Sequence, residues 1–173
     1  SRLDFTIHII FVNIQLMVFT FTLAINISMT INVAKKIVEF SREKIIDFVK
    51  ICYFFNLIGI TFLLIILYLF QGILVNNMTV GDDMKNLANK CFWVLYVFLL
   101  FDNSNFFFVG TLKGLAYLIV PVIVYVADSY LLVLNLSYIL TFSADMGVLG
   151  LWIGVFIGAM ISSTTMCYLY CRI

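Results

Sequence analysis

The sequence predicts an all-α polytopic membrane protein with five transmembrane helices, and three observations carry that prediction. The chain is 64% hydrophobic and 11% charged, whereas a soluble domain is about half apolar and about a quarter charged. Ten basic and nine acidic side chains among 173 residues are too few to coat a water-exposed surface of that size. The charges fall in clumps, and the runs between them exceed the roughly 18 residues that mark a transmembrane helix. These runs lack the polar/apolar alternation of outer-membrane strands, which argues against a porin-like barrel. A net charge of +1, without a basic cluster in an extended polar region, argues against nucleic acid as a partner.

The spans follow from the gaps between charges. No Asp, Glu, Lys or Arg occurs from Phe5 to Ala34 or from Ile51 to Gly81. A third run, Cys91 to Leu112, is broken only by Asp102, and a fourth, Leu115 to Thr141, only by Asp128; the fifth is Met146 to Cys171. Each can cross a hydrocarbon core of about 30 Å at a rise of about 1.5 Å per residue, so spans are predicted at 5–34, 51–75, 91–112, 115–141 and 146–171. The first run has no Gly, Pro or charge to form a turn and reads as one tilted helix. Its length and the opening Ser-Arg-Leu-Asp do not fit a secretory signal.

Cytoplasmic loops retain an excess of Lys and Arg. Lys35, Lys36, Arg42, Lys44, Lys50, Lys113 and Arg172 fall on one side, against Arg2, Lys85 and Lys90 on the other. The expectation is a cytosolic C-terminus. Five spans then leave the first residue outside, which, with a first residue that is not Met, predicts missing sequence upstream. The connection 35–50 holds eight of the nineteen charges, with Val38, Ile45, Phe48 and Val49 at helical spacing. It reads either as a helix lying at the cytosolic interface or as an extension of the neighbouring spans. Asn76 to Asn89 reads as a polar loop, with an N-glycosylation pattern at Asn77-Met78-Thr79.

Two carboxylates sit within spans, and an ionisable group at the bilayer centre costs at least about 2.5 kcal/mol, which by default marks an ion pathway or proton site. Asp102 precedes Lys113 by 11 residues and Asp128 follows it by 15. If Lys113 marks a turn, the two stand roughly 16 and 22 Å above it on consecutive antiparallel helices, at similar depth and able to face one cavity. Desolvation and a second nearby carboxyl both disfavour the charged form of such a group, which can then alternate between a proton and a cationic ligand. The alternative is structural: each Asp, protonated or hydrogen-bonded to Asn103, Asn105 or Tyr130, only orients the helices. Asn103, Asn105 and Tyr130 are the cavity-lining candidates beside them.

His8 falls near the outer end of the first span and reads as an interfacial imidazole. Asn26, Thr30 and Ala34 recur every four residues, as in a polar stripe that either lines a cavity or joins helices. Gly150, Gly154, Gly158 and Ser162 form a small-xxx-small row with Gly147 nearby, the pattern of close helix packing. The four cysteines show no C-x-x-C spacing and there is one His, which argues against zinc. Cys167 and Cys171, one turn apart, are either acylation candidates or small apolar residues. Phosphate loops, nucleophile elbows and metalloprotease motifs are missing from the sequence, so no enzyme and no cofactor is expected.

The stretch FDNSNFFFVGTLKG, followed by YLLVLNL and MGVLGLWIG, resembles the C-terminal half of the multidrug and toxic compound extrusion (MATE) transporters. In that family an Asp on the tenth helix precedes a G-x-x-[RK]-G turn, then a Tyr-x-x-Gly-x-Pro segment, then G-x-x-G-L-W-x-G opening the twelfth helix. Those positions are filled here by Asp102, by Gly110, Lys113 and Gly114, by Tyr130, and by Gly147, Gly150, Leu151, Trp152 and Gly154. FTLAINISMTINVAKK stands in place of the eighth helix and the connection after it. The chain departs from the pattern at Ala34 to Ile37, where glycines are usual, at Asn135 for Pro, at Val133 for Gly and at Tyr117 for Gln, as expected of a divergent member.

The resemblance implies that the five spans form most of one six-helix lobe of a two-lobe carrier, helices eight to twelve. It implies cation-coupled antiport exporting organic cations, drugs or other xenobiotics, with H⁺ or Na⁺ as coupling ion and Asp102 at the cation site. The implied partners are membrane lipid, a small organic cation, and either a missing N-terminal lobe or a second copy of the chain; the implied location is the plasma membrane. Two rival readings stay open. One is a lipid-linked oligosaccharide flippase, which shares the architecture but would want a cavity rich in Arg and Lys. The other is a five-span protein with a structural or partner-binding role and no transport.

Overall fold

A computed structural model describes residues 2–39, 41–78 and 81–172, and every regular element among them is helical. The protein is an all-α polytopic membrane protein. Helix α1 is Arg2–Glu39, α2 is Arg42–Met78 and α3 is Asp82–Gly114. The fourth span, Ile119–Ser143, is composite: α4 (Ile119–Ala127), a π-helical stretch (Asp128–Val133), α5 (Leu134–Tyr138) and a second π-helical stretch (Ile139–Ser143). Helix α6, Gly147–Arg172, is the fifth span. All five are long and apolar enough to cross a bilayer.

The first three helices overrun the spans predicted for them, whereas the fourth begins four residues later than predicted, at Ile119, and the fifth is shifted by one residue, to Gly147–Arg172. An α-helix satisfies its own backbone hydrogen bonds in lipid and in water alike, so nothing at the membrane edge obliges it to stop. Helix α1, with 38 residues, is about 57 Å long, nearly twice the hydrocarbon thickness. Among the described residues of 35–50, those up to Glu39 end α1 and those from Arg42 begin α2, the second of the two readings of this segment. Ile45 and Val49 turn inward onto Phe108 and Leu112, whereas Val38 is 85% exposed. Asp47 and Lys50 pair at 3.7 Å on the open face. The polar loop expected at Asn76 to Asn89 is likewise mostly helical, since α2 reaches Met78 and α3 begins at Asp82. Thr79 of the glycosylation pattern lies outside the described residues.

The connection after α3 falls at residues 115–118, later in the chain than the 113–114 predicted. Tyr117 N–H donates to Leu112 O at 2.9 Å and Ala116 N–H to Lys113 O at 3.0 Å, closing the helix end with crossed bonds. Ala116 takes the left-handed conformation, φ 69°. Gly110, Lys113 and Gly114 therefore form the last turn of α3, and the chain reverses just beyond them. At the opposite end, Asp145 and Gly147 adopt φ 52° and 57° to turn the chain into α6, whose Val148 N–H donates to the Asp4 carboxylate at 3.4 Å. An anion there complements the helix N-terminus.

Helix α3 is the centre of the bundle, packed along α1 and α6 and against part of α2, while the fourth span packs mainly on α6. Glycine makes both major contacts close. A Cβ at Gly110 would stand 2.9 Å from Asn26 Cα, and one at Gly114 would stand 2.9 Å from the Thr30 carbonyl oxygen. On α6, Gly150 abuts the Leu140 backbone and Gly154 abuts Ser137, with a Cβ at Gly154 only 2.6 Å from Ser137 N. Gly158 likewise faces Val133 and Asp128 of the fourth span, whereas Ser162, at the end of the same row, meets Asn105 of α3. Trp152, 2% exposed, packs edge-on against Phe11 and Phe98 at 5.4 and 5.6 Å between ring centroids, locking α6 to α1 and α3. Asn26 and Thr30 join helices: Asn26 Nδ2 donates to Phe106 O at 2.8 Å and Thr30 Oγ1 to Gly110 O at 3.1 Å. Toward the other end Tyr96, Gln71 and Asn89 clamp α2 to α3.

Filling the α6 contact is expected to be costly. Gly154→Val should destabilise the protein by about 1–3 kcal/mol, read as a lowered thermal unfolding midpoint in detergent. Gly72, with open space around its Cα, is the control: Gly72→Ala should be neutral or stabilise by up to about 1 kcal/mol.

Candidate functional site

The seam between α3, the fourth span and α6 gathers both intramembrane carboxyls. Asp102 is half-buried on α3. Asn105, three residues on and so on the same face, is 2% exposed. Its Nδ2 donates to Ser162 Oγ on α6 at 3.1 Å and to the Tyr125 hydroxyl on α4 at 3.3 Å, so one amide ties three spans together. Tyr125 lies within electrostatic reach of both Asp102 and Asp128, and Phe106 stacks beside it at 6.2 Å.

Asp128 stands three residues after Tyr125, at the first position of the first π-helical stretch. It too is half-buried, but its Oδ1 is enclosed without a hydrogen-bond partner. What it faces is Gly158: a Cβ there would sit 3.3 and 3.4 Å from the two carboxyl oxygens and would collide with Val133. The π geometry is visible in the backbone, where Leu134 N–H donates to Ser129 O five residues back. Such widening perturbs the ordinary ladder, and π segments in α-helices often mark functional positions. Asn135 answers the perturbation, its Nδ2 donating to Tyr130 O and Leu131 O at 3.1 and 3.0 Å. A side-chain amide thus manages the backbone where the resembling family carries Pro.

The other predicted candidates divide. Asn103 is completely buried on another face of α3, and neither of its amide atoms has a hydrogen-bond partner. Asn56 on α2 is in the same condition. Tyr130 is 67% exposed and is not brought to the carboxyls: two residues past Asp128, it projects from nearly the opposite side of the helix. Tyr125 takes the place expected of it. Its spacing of three from Asp128, the same helical face, was the signal that could have found it. Lys113 is half-buried at the end of α3, and Gly147 lies at the opposite end of the molecule beside Asp4, so both act in turns away from the seam. His8 packs near Trp152 at 6.0 Å, remote from the site.

Chemically the seam offers two carboxyls, a phenol, an amide and a hydroxyl, an oxygen-rich setting suited to a proton or a small hard cation. It also holds a liability, because an enclosed oxygen without a partner costs roughly 1–3 kcal/mol. Asp128→Ala is therefore expected to raise the thermal unfolding midpoint in detergent by a few degrees, the trade seen when a residue serves function at the expense of stability; a lowered midpoint would mean that the carboxyl is holding the helices together. No protein-family model matches the chain, and no curated protein matches it.

Proposed function

We propose that the chain is the C-terminal lobe of a secondary active transporter, a cation-coupled antiporter that exports organic cations, drugs or other xenobiotics, as the resemblance to the MATE family implies. The observation that supports this most is a carboxyl within each of two neighbouring spans, Asp102 and Asp128, the latter with an enclosed oxygen that has no hydrogen-bond partner. Ionisable groups at that depth are costly to keep and by default mark a path for protons or ions. Protonation or cation binding at Asp102 from outside displaces the organic cation, and release toward the cytosol resets the carrier. Tyr125 and Asn105 position the seam, the amide holding the phenol and Ser162 in register. Phe106 and Tyr125 supply aromatic faces of the kind that attract organic cations.

The excess of Lys and Arg at the end formed by Lys35, Lys36, Arg42, Lys44, Lys50, Lys113 and Arg172 makes that end cytosolic in this reading, in the plasma membrane. Alternating access rocks one bundle against another, so the working unit includes a second lobe or a second copy of the chain. A non-transporting role is the second reading, favoured by the way Asn105 spends both amide hydrogens joining helices.

The test is efflux of a fluorescent organic cation from proteoliposomes holding the protein as purified from its source, driven by an imposed H⁺ or Na⁺ gradient. Asp102→Asn should lower gradient-driven efflux at least tenfold while leaving the thermal unfolding midpoint within a few degrees of the parent. Retained coupling in that variant would refute the mechanism. Absence of gradient-driven efflux in the parent protein would favour the structural role.

A further inference from the structure

We infer that the end of the bundle carrying the Lys/Arg excess contains a binding site for an anionic membrane phospholipid. A cavity of about 660 Å³ opens there, where the end of α1, the start of α2, the end of α3 and the end of α6 come together. That volume falls within the range of about 300–1,000 Å³ typical of small-molecule pockets. Its walls are apolar and aromatic, with Ile45 and Val49 from α2, Phe108 from α3, and Cys167 and Tyr170 from α6. Tyr170 stacks on Phe108 at 5.9 Å, and its hydroxyl is buried without a hydrogen-bond partner, leaving a donor inside an otherwise oily wall.

Two cations complete the site. Arg42 and Lys50 both line the cavity and are solvent-exposed, eight residues apart on α2, or about 12 Å along its axis. Both side chains are long enough to converge on one phosphate between them, and Arg presents the forked donors that match phosphate oxygens. Asp47 competes for Lys50, but their ion pair spans 3.7 Å between side chains more than 70% exposed; pairs of that kind are worth little and yield readily to a better partner. An apolar hollow with a basic rim, at the level where the spans leave the membrane, matches a phospholipid with its acyl chain against the aromatic wall and its phosphate at Arg42 and Lys50. Basic pockets between transmembrane helices bind anionic head groups in this way. The inference is independent of transport.

The experiment is native mass spectrometry of the intact detergent-solubilised protein titrated with phosphatidylglycerol and, in parallel, phosphatidylcholine. The parent protein should retain phosphatidylglycerol in clear preference. Each cation near such a surface contributes about fivefold, so Arg42→Gln with Lys50→Gln should weaken phosphatidylglycerol binding about 25-fold, while Lys35→Gln with Lys44→Gln, at the same end but outside the cavity, should leave it within twofold. Cys167→Trp, which fills the cavity without touching charge, should abolish retention of the lipid. Equal losses from the two double variants would reduce the effect to diffuse surface charge and overturn the proposal. So would equal affinity for the two lipids, or competition by glycerophosphoglycerol, the head group without acyl chains, as strong as by whole lipid.

Discussion

In hydrocarbon, apolar side chains gain nothing by leaving the solvent, so membrane helices hold together where their backbones can touch or where polar groups cross between them. Nearly every feature of this molecule depends on that constraint. Gly110 and Gly114 let α3 lie against α1, and Gly150, Gly154 and Gly158 let α6 lie against the fourth span. Once the backbones are that close, short polar side chains reach across: Asn26 and Thr30 to carbonyls of α3, and Ser137 to the carbonyl of Leu151. The aromatic cluster around Trp152 then fills what the glycines leave open.

The polar seam is a product of the same geometry. Asn105 can bond to Ser162 and Tyr125 together only because α6 and α4 flank α3 at close range. Asp128 reaches its enclosed position because residue 158 has no side chain, and because the helix is locally π-wound where the carboxyl begins. Against this background the enclosed amides of Asn103 and Asn56 stand out as polar groups that the helix contacts do not use. Buried polar atoms are ordinarily hydrogen-bonded, so each of these amides carries a desolvation cost that no side-chain hydrogen bond offsets.

Much of the architecture was legible in the sequence, for a physical reason. Lipid imposes a strict rule on charge, so gaps between charges reveal the number of spans and put Asp102 and Asp128 inside two of them. The same rule is silent on where helices stop, because a helix passes from lipid into water without losing a hydrogen bond; this is why 35–50 read equally as an interfacial helix or as the ends of its neighbours, and 76–89 read as a loop. Position along a helix was legible, but facing was not. Tyr130 shares the depth of Asp128 yet points away from it, while Tyr125, one helical turn earlier, points with it. The π-helical stretches left no Gly or Pro signal, and only Asn135, in the place of an expected Pro, hinted that this backbone needed a partner.

The contact between Asp128 and Gly158 carries one more implication. A carboxyl covered by a bare backbone is covered only while two spans remain pressed together, since no side chain can swing in to take over. Shear or separation of α6 from the fourth span therefore uncovers this oxygen directly. The hydration of Asp128 is in effect a gauge of interhelical spacing, read out in the chemistry of a single group.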